Sequence, residues 1–109
     1  MTERETGRAR LDEIAPALLA RRDVAIGRMF GSDGISVRGK LFAFVANSGS
    51  LVVKLPEARI DALELDNMVM HGRPMREWAV VPFDDGVDRW REIAGEAHAF
   101  VDSITPPGE

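Results

Sequence analysis

Two apolar, strand-like runs, Lys40 to Ala46 and Leu51 to Leu55, are joined only by Asn47-Ser-Gly-Ser50. That short join constrains the fold more than any other feature. Parallel pairing needs a crossover of about a dozen residues or more, so a turn of this length leaves only an antiparallel hairpin. The pattern recurs. Val24 to Phe30 is followed by the turn signal Gly31-Ser-Asp-Gly34 and the short run Ile35 to Val37. Met68 to His71 and Glu77 to Val81 flank Gly72-Arg-Pro74. Gly, Asn, Asp and Pro clusters between apolar runs mark hairpins, so the sheet is expected to be antiparallel.

Helical spacing appears in three places. Leu11, Ile14, Ala15, Leu18 and Leu19 predict a helix beginning near Asp12 or Glu13, with Pro16 in or just past its first turn and Arg21 and Arg22 in its last. Pro56 suits the first position of a second helix that runs through Leu65 and buries Ile60 and Leu63. Asp84 or Asp85 is expected to cap a third. Its stripe is Val87, Trp90, Ala94, Ala97 and Val101, flanked by Ile93, Phe100 and Ile104. Residues 1–10 lack periodicity and are expected to fray, as are residues 105–109. The expectation is one α+β domain over residues 1–109 with a two-layer architecture and an antiparallel sheet. Its order is helix, three or four strands, helix, two strands, helix, with the helices over one face.

A sheet covered on one side should alternate apolar with polar residues. These strands do not. Simple alternation sends Leu41, Ala43 and Val45 to one face and Phe42, Phe44 and Ala46 to the other. Trp78 and Val80 likewise oppose Ala79 and Val81, and Val52 opposes Leu51 and Val53. Some helix must therefore wrap the second face, or a second copy or a protein partner must cover it.

Composition narrows the chemistry. With no cysteine among 109 residues, disulfides, thiolate metal sites and thiol catalysis are excluded. The charged N-terminus reads as no signal peptide, and no apolar run reaches the ~20 residues of a membrane helix. A cytoplasmic, non-membrane protein is expected. The net charge of −4 divides unevenly, +3 over residues 1–60 and −7 over residues 61–109. This reads as a solvated acidic C-terminal helix.

Individual motifs carry little chemistry. Gly34-Ile-Ser-Val-Arg-Gly39-Lys40 fits most of a phosphate-binding loop, but Leu41 stands where a Ser or Thr would hold magnesium. The following residues are strand-like rather than helical, so the segment reads as a hairpin turn. His98 and Asp102 are four apart on the last helix, too few for a metal site, and His98 reads as a surface residue. His71 reads as a turn residue. Asp84 and Asp85 look like helix capping, and Glu92 with Glu96 like an exposed face. Arg28, Arg38, Lys40, Lys54, Arg73 and Arg76 form a basic set in and beside the strands. If they share a face they could hold phosphates, although aromatic platforms are scarce at 6% with no Tyr.

Together Arg28-Met-Phe-Gly31, Gly34, Gly39-Lys40, Phe42-Ala43, Leu51 and Lys54-Leu55 resemble the N-terminal domain of the TfoX/Sxy competence-regulator family. Gly72-Arg-Pro-Met-Arg-Glu-Trp78, Val81-Pro82 and the final Trp- and Ala-bearing helix extend the resemblance over roughly Leu11 to Val101. It implies a fold similar to secretion chaperones, with order α-β(3)-α-β(2)-α, standing alone without the family's helical C-terminal domain. It implies a bacterial regulator and offers no catalytic residues. The sequence reading is therefore a non-enzymatic regulatory or adaptor domain, without cofactor or small-molecule substrate. It would act through protein–protein contacts as a homodimer or with a protein partner. The alternative is a nucleic-acid-binding transcriptional-regulator module using Arg28, Lys40, Lys54, Arg73 and Arg76.

Overall fold

A computed structural model describes residues 2–29 and 32–107, without the side chains of residues 28, 29, 32 and 33. The elements run α1 (Glu3–Leu19), β1 (Val24–Met29), β2 (Ser32–Val37), β3 (Lys40–Val45), β4 (Leu51–Lys54), α2 (Glu57–Ala62), β5 (Asp66–Met70) and β6 (Arg73–Val81). A single 3-10 turn, Phe83–Asp85, leads into α3 (Val87–Ile104). The architecture is α+β, as expected from the short turns. All six strands form one antiparallel sheet in the order β1-β2-β3-β4-β6-β5. The first group of strands numbers four, because Ser32–Val37 is a full strand paired along β1 rather than a short hairpin tail. Phe30 and Gly31, which carry part of the expected turn, lie outside the described residues, and Ser32, Asp33 and Gly34 belong to β2.

The helices share one side. α1 and α3 pack on β3 and β4, and α2 adds Ile60 to the same core. From the sheet that core takes Ile35, Val37, Phe42, Ala43, Val45, Leu51, Val53, Ala79 and Val81. From the helices it takes Leu11, Ile14, Ala15, Leu18, Trp90, Ile93, Ala94, Ala97 and Val101, among others. Trp90 is its largest fully buried side chain, and its indole donates to the Pro82 carbonyl at 3.1 Å. A buried indole N–H requires such a partner. Arg10 of α1 ties the far end together. Its guanidinium lies 3.5 Å from the Phe83 ring centroid and 5.0 Å from that of Trp90.

Several expectations needed correction. α1 begins at Glu3 rather than near Asp12, so residues 3–10 are helical and not a tail. Thr2 caps it, its hydroxyl accepting from the Glu5 N–H at 3.1 Å, and Glu3 and Glu5 sit in the first turn where the helix dipole favours them. Pro16 consequently lies inside the helix, and Arg21 and Arg22 lie past its end. Pro16 and Asp12, whose carbonyl loses its helical donor there, both face solvent. Neither Asp84 nor Asp85 caps α3. Gly86 holds that position, and Asp85 instead pairs with Arg89 at 3.2 Å. Glu96 is not a bare surface carboxylate, since Arg59 grips it through two hydrogen bonds of 2.7 and 3.1 Å.

The third strand departs from simple alternation. Ile35 pairs with Ala43 while Ser36 pairs with Leu41, so Phe42 is an extra residue in β3. A bulge of this kind shifts the side-chain alternation beyond it. Phe42 therefore joins Ala43 in the helix-side core, and Leu41 falls on the same face as Phe44. The turn at Arg38-Gly39 has φ of 47° and 80°, and that at His71-Gly72 has 53° and 77°. Both are two-residue hairpin loops of the mirror-image type whose twist matches the strands. The apparent phosphate loop is thus β2, a tight turn and β3. The second turn lies one residue earlier than Gly72-Arg-Pro74, with Arg73 and Pro74 already in β6.

α1 reaches back to residue 3 because two glycines let it. A Cβ on Gly7 would overlap the Gly49 backbone, and a Cβ on Gly49, at φ 84°, would overlap the Glu3 carbonyl. Helix and β3–β4 turn touch backbone to backbone. Gly95 in α3 is also helical, but a Cβ there meets only Arg21 Nη2, at 3.7 Å. Replacing the two helical glycines should have opposite effects. Gly7→Ala is expected to cost about 1–3 kcal/mol through overpacking. Gly95→Ala should gain about 0.5–1 kcal/mol from helix propensity. Urea unfolding of the two variants beside the parent checks both signs.

Candidate functional site

The sheet face away from the helices carries the unexplained apolar surface. Register places Gly34, Phe44, Val52, Val80 and Asp66 in one row across β2, β3, β4, β6 and β5. Paired residues share a face, and this row is the one opposite Ile35, Ala43, Leu51, Val53, Ala79 and Val81. No helix of the described residues covers it. Val52 is nonetheless 0% exposed while standing outside the helix-side core. The cover is local. Phe44 on β3 and Trp78 on β6 meet across β4, ring centroids 5.7 Å apart and planes at 60°. Their contact roofs the strand between them. Leu41 lies over Gly34, whose missing side chain leaves it room, with Cδ1 2.5 Å from where a Cβ would stand. Leu41, Phe44, Trp78 and Val80 remain partly exposed.

The basic set divides around this face. Lys40 begins β3, Lys54 ends β4, and Arg73 and Arg76 lie in the first half of β6. In an antiparallel sheet these positions fall at the same end. Arg28 pairs with Asp33 at the opposite end of β1, and its side chain lies outside the described residues. Lys54 sits opposite Trp78, with Nζ 5.3 Å from its ring and 3.8 Å from Glu77. Lys40, Arg73 and Arg76 are exposed and make no ion pair among the described residues. The hairpin arm beside them places Met68 opposite Met75, with Val69 64% and Met70 40% exposed. Asn67 bridges the irregularity in this arm by donating to the Met75 and Arg76 carbonyls at 3.1 and 3.0 Å.

Arg38, the sixth member of the basic set, has a structural task. Its guanidinium donates to the carbonyls of Pro106, Asp102 and Thr105 at 2.8, 3.0 and 3.0 Å and pairs with the Asp102 carboxylate at 2.8 Å. It therefore caps α3, where free carbonyls and the negative dipole end favour a cation. His98 lies beside this cap and is buried, 8% exposed, rather than on the surface as the sequence suggested. Phe42 packs edge-on against it, with centroids 5.6 Å apart. Arg21 Nη1 donates to its Nδ1 at 3.0 Å, which places the proton of the neutral ring on Nε2. Burial, then the Arg21 charge, hold its pKa below the ordinary value. Arg38 adds to that effect and Asp102 opposes it. A cavity of about 510 Å³ opens here between Arg22, Asp23 and Ser103. Two of the polar groups around it are tied to the helix itself, Ser103 and Thr105 donating to the Phe100 and Val101 carbonyls at 2.6 Å. This end of the molecule is a helix cap. His71 is a turn residue, as its sequence context indicated.

Among the described residues no group of three or more His, Asp or Glu could hold a metal ion, and no helix is long and apolar enough to cross a membrane. No protein-family model matches the chain, and no curated protein matches it.

Two outcomes follow from the α3 cap. Arg38→Ala should lose about 1.5–3 kcal/mol, because the C-terminal carbonyls of α3 lose a charged donor. Arg38→Gly should lose about 1 kcal/mol less, because glycine accepts the positive φ without strain. Denaturant midpoints order the pair. The neutral His98 also couples stability to pH. Its folded pKa is lowered, so the unfolded chain binds the extra proton first. Its contribution is complete above about pH 6.5 and declines as the pH falls through that unfolded-state value. Stability measured between about pH 7.5 and 5.5 should fall in the parent and stay flatter in His98→Gln.

Proposed function

We propose that this domain is a non-enzymatic regulatory or adaptor module that holds a protein partner against the helix-free face of its sheet. The observation that carries the reading is the partly exposed group Leu41, Phe44, Trp78 and Val80 on a face that no helix of the described residues covers. Contiguous apolar surface on a folded domain marks a contact site more often than isolated apolar residues do. Aromatic residues in particular supply large contact area at little entropic cost. The resemblance of the Arg28-Met-Phe-Gly31 and Gly39-Lys40-Leu-Phe-Ala43 segments to the TfoX/Sxy N-terminal domain supports a regulatory role for such a contact. A second copy of the chain is the simplest partner to test. The nucleic-acid reading draws on the exposed Lys40, Arg73 and Arg76 at one end of the sheet, and it requires binding that weakens steeply with salt.

Photo-crosslinking in living cells tests the module. A photoreactive residue at Leu41 or Trp78 should give discrete protein adducts, and the same residue at Glu92, on the exposed side of α3, should give none. Adducts equally abundant from all three positions, or absent from the sheet positions, would overturn the reading.

A further inference from the structure

Resting on that reading, we propose that the partner element is an amphipathic helix whose apolar stripe lies on Phe44, Trp78 and Val80, and whose carboxylates lie over Lys54 and Arg76.

The type of element follows from the backbone. β4, at the centre of the face, is hydrogen-bonded to β3 on one side and β6 on the other, so no ladder groups remain there to recruit a strand. Strand addition needs an edge. An occupant of the middle must bring its own satisfied backbone and offer side chains, as a helix does. The width agrees. Phe44, Val52 and Val80 sit in register on three neighbouring strands, a span of about 10 Å at the usual strand spacing. A helix with its side chains is about 10–12 Å across.

The sign of the partner follows from the charges. Lys54 stands beside Trp78, and Arg76 lies one strand period before Trp78, whereas Lys40 pairs with the core residue Val37 and so belongs to the other face. Arg73 continues that end. The anions at hand are Glu77 and Asp66. Glu77 reaches Lys54 at 3.8 Å with 47% of its side chain exposed, a pairing that water screens heavily. Asp66 lies across from Val80 on β5, away from the cations. Beside the apolar centre, therefore, Lys54 has only this screened pairing and Arg76 has no ion pair among the described residues. Opposite charge on the partner would steer encounter and set its orientation. A phosphate backbone would match the cations but leave Leu41, Phe44 and Val80 without contacts.

The test uses two designed helical peptides with one leucine stripe, one bearing glutamates and the other lysines at matching positions. Each is titrated into the intact domain while the indole N–H signals of Trp78 and Trp90 are followed by NMR. Trp90 is 0% exposed in the helix-side core and serves as the internal control. The acidic peptide is expected to shift Trp78 saturably and not Trp90, binding about tenfold more tightly than the basic one. Lys54→Glu combined with Arg76→Glu should invert that preference. Equal binding of both peptides at Trp78 overturns the acidic helix and leaves the interaction face standing. No shift of Trp78 with either peptide overturns both. Concentration-dependent shifts of Trp78 without peptide, with a dimer mass by light scattering, would assign the face to a second copy. A duplex oligonucleotide that outcompetes both peptides and releases with salt would assign the cations to nucleic acid. Either result overturns the helix.

Discussion

β4 is the strand on which the rest of the structure depends. Leu51, Val52 and Val53 are each 0% exposed, so a strand of four residues, Leu51–Lys54, is buried on both faces. Its two sides are closed differently. The helix side presses Leu51 and Val53 into the core around Trp90. The other side is closed by two aromatic rings that meet above Val52 from strands on either flank. That second closure needs no helix, which is why all three helices can gather on one side without leaving a bare central strand. It also leaves the outer surfaces of Phe44, Trp78 and Val80 facing outward, so the packing of β4 and the candidate contact surface are two sides of one arrangement.

Around this strand the molecule is clamped at both ends. At one end α1 crosses the β3–β4 turn through Gly7 and Gly49, and Arg10 stacks on Phe83 to join α1 to the entry of α3. At the other, Arg38 in the β2–β3 turn gathers the C-terminal carbonyls of α3, with His98 and Arg21 alongside. Arg38 accepts a positive φ that glycine would adopt more easily. Its long guanidinium reaches what no glycine could. Three residues that look like charge or metal chemistry in the sequence, Arg38, His98 and Asp102, are thereby accounted for as a helix terminus. At the start of β6, by contrast, Arg73 and Arg76 make no ion pair among the described residues.

The short turns were legible because loop length alone rules out parallel crossovers. The lack of alternation in the strands was legible too, and it correctly signalled apolar residues on both faces. It could not say what covered the second. The answer depended on two rings reaching across an intervening strand, a contact between residues 44 and 78 that no local pattern encodes. The bulge at Phe42 was hidden for a related reason. Strict alternation and a one-residue slip read identically until pairing with Ser36 is known. The early start of α1 was missed because glycine carries no hydrophobic signal. Gly7 is buried by close backbone approach to Gly49, and only the fold brings those two together.

The sequence by itself determined an antiparallel α+β domain, the turn positions to within a residue or two, and the stripe of α3, because these follow from local sterics and periodicity. Only the tertiary structure decided which cations share a sheet end, that His98 is buried, and that the central strand is roofed by aromatics rather than by a helix. Each of these depends on residues far apart in the chain, and their juxtaposition is set by strand order and register rather than by neighbours in sequence.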